Sequence, residues 1–317
     1  GCNDSPEDST GASGGGAGGG NPSPSGDRAG NTPPYSPAQG NSGGDAAGTF
    51  TAGGGGGAGG AGVDANGSAP GDKAGNGGLG SRVAIVGPSS DPSPIGASGP
   101  GSGAAATGWF AGGGGGGNYN QGTAPVVIGY GGAGPSGTSP YAGGGNGSKT
   151  TPVVGNDGTY STGGGGGGGG LTSPHPDNGS SGGAGGSGIV VIRYQIGTVD
   201  TGSAKATGGN ISYYGGKTIH VFNNSGTFTA PSPLNPSPLS VTYVVVAGGG
   251  SGAGPGGGGG AGQYITGPST VTAGGSVTVQ VGAGGAQPYT PGADGGYDGT
   301  PSYFGTPITA GGGGGGG

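Results

Sequence analysis

The chain has 317 residues, 102 of them glycine and 27 proline, with 7 basic and 13 acidic side chains and a net charge of −6. Leu, Ile, Val and Phe together number 38, too few for an ordinary thick side-chain core, and titratable groups of the kind catalysis draws on are scarce. The composition excludes a conventional globular enzyme and makes a disordered glycine-rich matrix protein the first alternative.

Two features oppose disorder. The net charge is small for a chain of this length, so self-repulsion does little to keep it open. The β-branched residues are gathered into short runs, at 189–192, 244–246 and 277–281, as strands require. The single cysteine, Cys2, rules out an internal disulfide framework and leaves a lone thiol or a link to a neighbouring copy. No apolar run approaches the ~20 residues of a membrane span. The chain starts at Gly1 with neither Met nor a signal-like segment, so it reads as a processed piece, a fragment or one repeat, with any export signal elsewhere.

In chain order, the first two hundred residues alternate Pro- and Ser-rich stretches such as 21–25 with glycine runs at 53–57, 112–117 and 163–170. Short apolar runs stand at 82–86 and 126–130, and the section closes with a strand at 189–196. A junction at 197–216 follows. Beyond it, Thr218-Ile219-His220-Val221-Phe222 and Thr227-Phe228-Thr229-Ala230 flank Asn223-Asn224-Ser225-Gly226, a pattern that predicts a β-hairpin. An apolar strand is predicted at 239–247, running straight into Gly248. A second hairpin is predicted from 269–272 and 276–281 across Ala273-Gly274-Gly275, with Val277, Val279 and Val281 on one face. Nothing has helical period, and glycine at this density opposes helix by up to ~1 kcal/mol per residue, so no α-helix is expected.

An isolated glycine run loses the most backbone entropy on ordering and has no side chains to pack. Several runs side by side escape this as left-handed, three-residue-per-turn helices of the polyproline II type, whose N–H and C=O groups bond to neighbouring chains. Five runs of five or more glycines, at 53–57, 112–117, 163–170, 256–260 and 311–317, meet that demand. They are nearly pure glycine, unlike the Gly/Ser mixtures of flexible linkers. The expected fold is all-β: a β-sandwich-like frame of short strands bordering a layer of polyglycine II helices.

The segments 227–229, 241–250, 277–285, 302–305 and 188–194 carry a Thr-Phe-Thr hairpin, a Val-rich strand entering a Gly run, a Val-Thr-Val-x-Val-Gly-Ala-Gly-Gly element, Ser-x-Phe-Gly and Gly-Ile-Val-Val-Ile-Arg-Tyr. Together they resemble a family of glycine-rich domains found in phage tail-fibre and bacterial surface proteins. In that family the last element closes the domain, whereas here it precedes the opening hairpin. The resemblance implies that residues 1–196 are the C-terminal two thirds of one repeat, 197–216 the junction and 217–317 the N-terminal third of the next, a window on a tandem array. It also implies that Arg193 and Tyr194 close the frame and that the loops of residues 1–150 face outward.

Candidate sites are few. His220 alternates with Ile219 and Val221 and is expected at a solvent-facing strand position, while His175 lies in a Ser-Pro-His-Pro loop; neither has a partner at metal-ligand spacing. Asp157 and Asp294 sit in Gly-Asp-type turns that faintly resemble calcium sites, without the nonapeptide period that makes such turns bind. Trp109, Phe110 and Tyr119 form the one aromatic cluster, either packed on the glycine layer or a contact surface for a receptor or glycan. Asn3, Asn66, Asn146, Asn178, Asn210 and Asn223 each begin an Asn-x-Ser acceptor triplet. The three arginines, Arg28, Arg82 and Arg193, are scattered, so no basic stripe exists for nucleic acid. No cofactor is expected. The function that fits is a structural repeat of an extracellular or virion fibre whose partners are identical repeats or chains; the competitor from another class is a receptor-binding tail-fibre adhesin.

Overall fold

The computed structural model describes residues 12–18, 29–31, 34, 38, 40–48, 51–67, 73–85, 95–100, 107–120, 127–149, 153–172, 179–195, 206–234, 237–254, 256–288 and 295–317. Among these residues there is no helix. In chain order the strands are β1 (Ser81–Arg82), β2 (Trp109–Phe110), β3 (Tyr119–Asn120), β4 (Leu171–Thr172), β5 (Ile189–Gln195), β6 (Asn210–Tyr214) and β7 (Lys217–Phe222). They continue with β8 (Gly226–Thr229), β9 (Leu239–Val246), β10 (Tyr264–Val271), β11 (Ser276–Gln280), β12 (Ser302–Phe304) and β13 (Thr309–Ala310).

Two antiparallel sheets form the frame. One has the order β10-β9-β5-β7-β6 and the other β13-β12-β11-β8. Two short ribbons stand apart, β1 with β2 antiparallel and β3 with β4 parallel. Between the sheets lies the main core: Ile192, Phe222 and Val245 from the first sheet face Phe228, Val279 and Phe304 from the second. The rings of Phe228 and Phe304 meet edge-on at 5.9 Å between centroids. A smaller core covers the back of the five-stranded sheet, where Ile85 and Phe110 pack on Val191, Ile219 and Val244.

The central strand β5 explains why its sequence is a continuous apolar run and not an alternation. Val190 and Ile192 point into the main core and Ile189 and Val191 into the second, so both faces are buried. Burying each such side chain stabilises the fold by roughly 1.5–3 kcal/mol. β11 buries one face only, with Val279 buried and Val277 and Val281 half-buried against the main core, as its alternation predicts.

The two expected hairpins are sheet-to-sheet corners. β7 pairs with β5 and β6, whereas β8 pairs with β11; β10 pairs with β9, whereas β11 pairs with β8 and β12. Turn residues bend the chain equally well into a ladder or across a sandwich, and the choice falls to the core, which draws Phe222 and Phe228 in from opposite sides. A two-residue hairpin joins β6 to β7 through Gly215 and Gly216 at φ 55° and 72°, the left-handed pair such a turn demands, with Tyr214 opposite Lys217.

Strand β6 lies within 197–216. Moreover, β5 is hydrogen-bonded between β7 and β9, so residues on both sides of the junction share one sheet and one core. Nor do residues 1–150 simply face outward: 12–17, 51–57, 74–75, 110–118 and 142–145 are buried. His220 is a further correction, being fully buried between the sheets on the same face of β7 as Phe222. Strand alternation puts every second residue inward, and here a polar side chain takes an inward place because it finds partners there.

Candidate functional site

At one end of the sandwich the strands pass without a break into glycine segments: β9 into Ala247, β11 into Val281 and β13 into Gly311, while β5 emerges from Gly188, β10 from Gln263 and β12 from Pro301. The segments 179–188, 247–254, 256–263 and 311–317 are largely buried yet have almost no large side chains, whereas 281–288 and 295–301 form a more exposed margin. Their backbone groups bond to other segments in a three-residue rhythm. Gly112, Gly115 and Asn118 donate to Ala142, Gly145 and Ser148 at 3.0, 2.9 and 2.9 Å. Gly113 and Gly116 donate to Gly78 and Gly75, and Gly114 and Gly117 to Gly259 and Gly256. One run thus addresses three neighbours in turn.

The neighbours are linked to one another in the same way. Gly165, Gly168 and Leu171 donate to Gly112, Gly115 and Asn118 at 2.9, 2.9 and 3.2 Å, while Gly145 and Ser148 donate to Gly165 and Gly168. Three parallel segments close a triangle. Residues 257, 260 and 263 bond to 317, 314 and 311, and 258 and 261 bond to 53 and 56, so runs distant in sequence join one lattice. Satisfying buried backbone groups in this manner removes the cost that otherwise forbids a buried glycine segment.

The lattice accounts for the choice of glycine. A Cβ placed on Gly114 would overlap the carbonyl oxygen of Gly166, one on Gly166 that of Gly183, and one on Gly259 that of Gly250. The segments are closer than side chains permit, so composition here is a steric requirement.

Where the period leaves a backbone group without a main-chain partner, a polar side chain fills in. Asn76 accepts from the N–H of Tyr130 at 2.8 Å and donates to the carbonyls of Gly134 and Gly137, both at 2.9 Å. Asp157 and Asp298 accept from the N–H groups of Ala184 and Gly315 at 2.7 Å. The hydroxyls of Ser251, Thr300 and Ser302 accept from Tyr297, Ala283 and Gly282 at 2.8, 2.7 and 2.8 Å, and the Gln263 carboxamide oxygen accepts from Gly311. These residues were the signal that sequence reading missed: Asn, Asp, Ser and Thr isolated among glycines mark the lattice's irregular positions.

The expected site residues do not converge. Asp157 spends a carboxylate oxygen on the lattice, and Asp294 lies outside the described residues. Among the described residues no three His, Cys, Asp or Glu side chains come together as a metal group. Phe110 is fully buried in the second core, which removes it from any contact surface. Trp109 is half-buried with its indole laid against Gly99, where even a methyl group would overlap the ring; Tyr119 lies in β3. Among the described residues the exposed tyrosines are others: Tyr160, Tyr213, Tyr214 and Tyr297.

Of the acceptor triplets, Asn66 and Asn210 are exposed and Asn223 half-buried. Asn146 is half-buried with its side-chain oxygen accepting from Gly131 at 3.0 Å. Asn3, Asn178, Cys2 and His175 lie outside the described residues. Arg193 donates through Nη1 to the carbonyl of Ile85 at 3.2 Å and so ties the covering segment to β5.

His220 and Tyr194 form a buried titratable pair. The Gly208 carbonyl, 2.6 Å from Nδ1, can only accept, so Nδ1 carries the proton and Nε2 faces the Tyr194 hydroxyl at 3.3 Å. Burial pushes the His220 pKa down, against the opposing pull of the Gly208 carbonyl. Burial likewise pushes Tyr194 up, and Tyr264 up to about 12. Enclosed by Phe228, with ring centroids 5.0 Å apart, His220 is a core residue.

Sandwich and lattice together define a glycine-rich, all-β domain. Residues 223–317 match a family model described as a glycine-rich domain. No curated protein and no solved structure matches the chain.

Proposed function

We propose that the chain is a structural repeat unit of an extracellular or virion fibre, giving extension, cohesion or surface attachment, and that its glycine runs are polyglycine II helices. The observation that carries this reading is the lattice, in which each run bonds to three neighbours with a period of three residues, the period of that helix. At about 3.1 Å per residue, such a bundle is a stiff rod. Six strands feed directly into it, so tension along the rod is shared among many backbone hydrogen bonds sheared together. The partners are identical repeats or chains, and the affiliation with tail-fibre and surface-fibre domains belongs to this proposal. Cryo-electron microscopy of the native assembly is the test. Units joined in unbroken density along a filament support the proposal; isolated globular tips would replace it with the adhesin.

A further inference from the structure

An Asn plug followed by glycine carries a chemical liability. The main-chain nitrogen of the next residue can attack the side-chain carboxamide carbon and close a succinimide ring, and glycine, with no Cβ, shields that nitrogen least. The lattice makes the combination unavoidable at Asn76-Gly77 and Asn146-Gly147. A Cβ on Gly77 would lie 2.0 Å from the carbonyl oxygen of Gly113, and one on Gly147 2.0 Å from that of Gly116.

The lattice also restrains the reaction. Gly77 donates its N–H to the Tyr130 carbonyl at 2.9 Å and Gly147 to that of Gly129 at 3.0 Å, so the attacking nitrogens are engaged. The carboxamides are held as well, that of Asn76 by Tyr130, Gly134 and Gly137 and that of Asn146 by Gly131. Asp157-Gly158 and Asp298-Gly299 can close the same ring and are fixed likewise. Gly158 and Gly299 donate to Ala184 and Gly313 at 2.8 and 2.9 Å, and each carboxylate accepts a lattice N–H. Asn66-Gly67 is built differently. Both of its residues are exposed. The Asn66 main chain exchanges two hydrogen bonds with Lys73, at 2.8 and 2.9 Å, but among the described residues nothing bonds to the Gly67 N–H or to the Asn66 carboxamide. Packing is looser too, the nearest atom to an added Cβ on Gly67 being the Ala47 oxygen at 3.0 Å.

We propose that Asn66 is a site of spontaneous deamidation and isoaspartate formation, and that their lattice bonds spare Asn76 and Asn146. The Gly67 nitrogen gives its proton to solvent base and bonds to Asn66 Cγ; the Cγ–Nδ2 bond breaks, and the leaving nitrogen takes a proton from water and departs as ammonia. Water then opens the ring at either imide carbonyl. Cleavage between nitrogen and Cγ leaves aspartate, and cleavage between nitrogen and the main-chain carbonyl carbon leaves isoaspartate. One water is consumed, one ammonia is released, and a neutral side chain is exchanged for a carboxylate. Isoaspartate routes the main chain through an extra methylene, a change that an exposed bridge absorbs and a lattice with a three-residue period does not. The inference rests on the lattice bonds and not on the fibre reading.

Peptide mapping by mass spectrometry tests it, on the full 317-residue chain aged for weeks in mildly alkaline buffer made with heavy-oxygen water, so that conversion during ageing is told from conversion during digestion. In the folded chain Asn66 is expected to become a labelled mixture of aspartate and isoaspartate at least about tenfold faster than Asn76 or Asn146, whose buried bonds must open first. In urea, with the lattice lost, the three should convert at comparable rates. An Asn66 that survives as long as the other two in the folded chain would overturn the proposal. So would a difference that persists undiminished in urea, since it would then belong to the local sequence and not to the lattice. Filaments or their absence bear on the fibre reading alone.

Discussion

Gly114→Ala adds one methyl group at the centre of the lattice and is predicted to cost far more than its size suggests. The Gly114 N–H donates to Gly259 and its carbonyl accepts from Gly55, both at 2.8 Å. The added Cβ would overlap the Gly166 carbonyl oxygen and lie 2.7 Å from its carbon and 3.1 Å from the Gly259 nitrogen. Relief requires the 164–169 segment to move away, which breaks the bonds of Gly165 to Gly112 and Gly168 to Gly115 and strains that of Gly114 to Gly259. Three buried backbone bonds at about 1–2 kcal/mol each come to about 3–6 kcal/mol. Alanine's lower unfolded-state entropy offsets about 0.4–1 kcal/mol of that. The net loss, about 2–5.5 kcal/mol, is a large share of the ~5–15 kcal/mol typical of a folded domain. Gly295→Ala is the control, since the nearest atom its Cβ would meet is the Gly316 oxygen at 3.6 Å, and it should shift stability by less than about 1 kcal/mol. Urea unfolding followed by the fluorescence of Trp109, the only tryptophan, and by circular dichroism measures both. Equal midpoints for the two variants would refute the steric account of the glycine runs.

Replacing Ser251 by Ala removes the acceptor of the Tyr297 N–H and should lower stability by about 1 kcal/mol, read from the same urea midpoint. Ile192→Ala empties a fully buried position in β5 and should cost about 2–5 kcal/mol, with hydrogen exchange accelerated in β7 and β9 together. Because His220 has a folded pKa below its unfolded value of 6.5, its contribution is complete above about pH 6.5 and falls away as the pH drops through that value toward the folded pKa. Thermal midpoints should decline on that limb, and His220→Phe should flatten it. Tyr264 gives the opposite limb: with the pKa raised from 10.0 to about 12, stability is lost as the pH rises from 10 through 12, and Tyr264→Phe should remove part of that loss.

Much of the frame was legible because its strands are local patterns. The apolar runs at 189–195 and 239–246 and the alternation at 276–280 mark β5, β9 and β11, and the lack of helical period marks the all-β class. Connectivity was not legible. Asn223-Asn224-Ser225-Gly226 is compatible with a hairpin or a corner, and only the packing of Phe222 against Phe228 selects the corner. β6 is hard to see in the sequence because Asn210 to Tyr214 is short, its alternation spans only Ile211 and Tyr213, and it is wholly exposed. The sequence alone points His220 outward, because polarity is a poor guide where a carbonyl, here that of Gly208, waits inside the core. The lattice itself was foreseeable from five glycine runs, but its partners were not: glycine runs are identical to one another, and pairing such as 258 with 53 is fixed by where the strands deliver each run and by plugs such as Asn76 and Asp298.

Amide hydrogen exchange resolved to the glycine runs tests the central claim most directly. If 112–117, 163–170 and 256–260 form a bonded lattice continuous with the sandwich, their amides should be protected to a degree comparable with those of β5 and should be lost together with them on mild destabilisation. Free exchange in the runs while β5 stays protected would contradict the account, reducing the glycine segments to linkers on an independent sandwich.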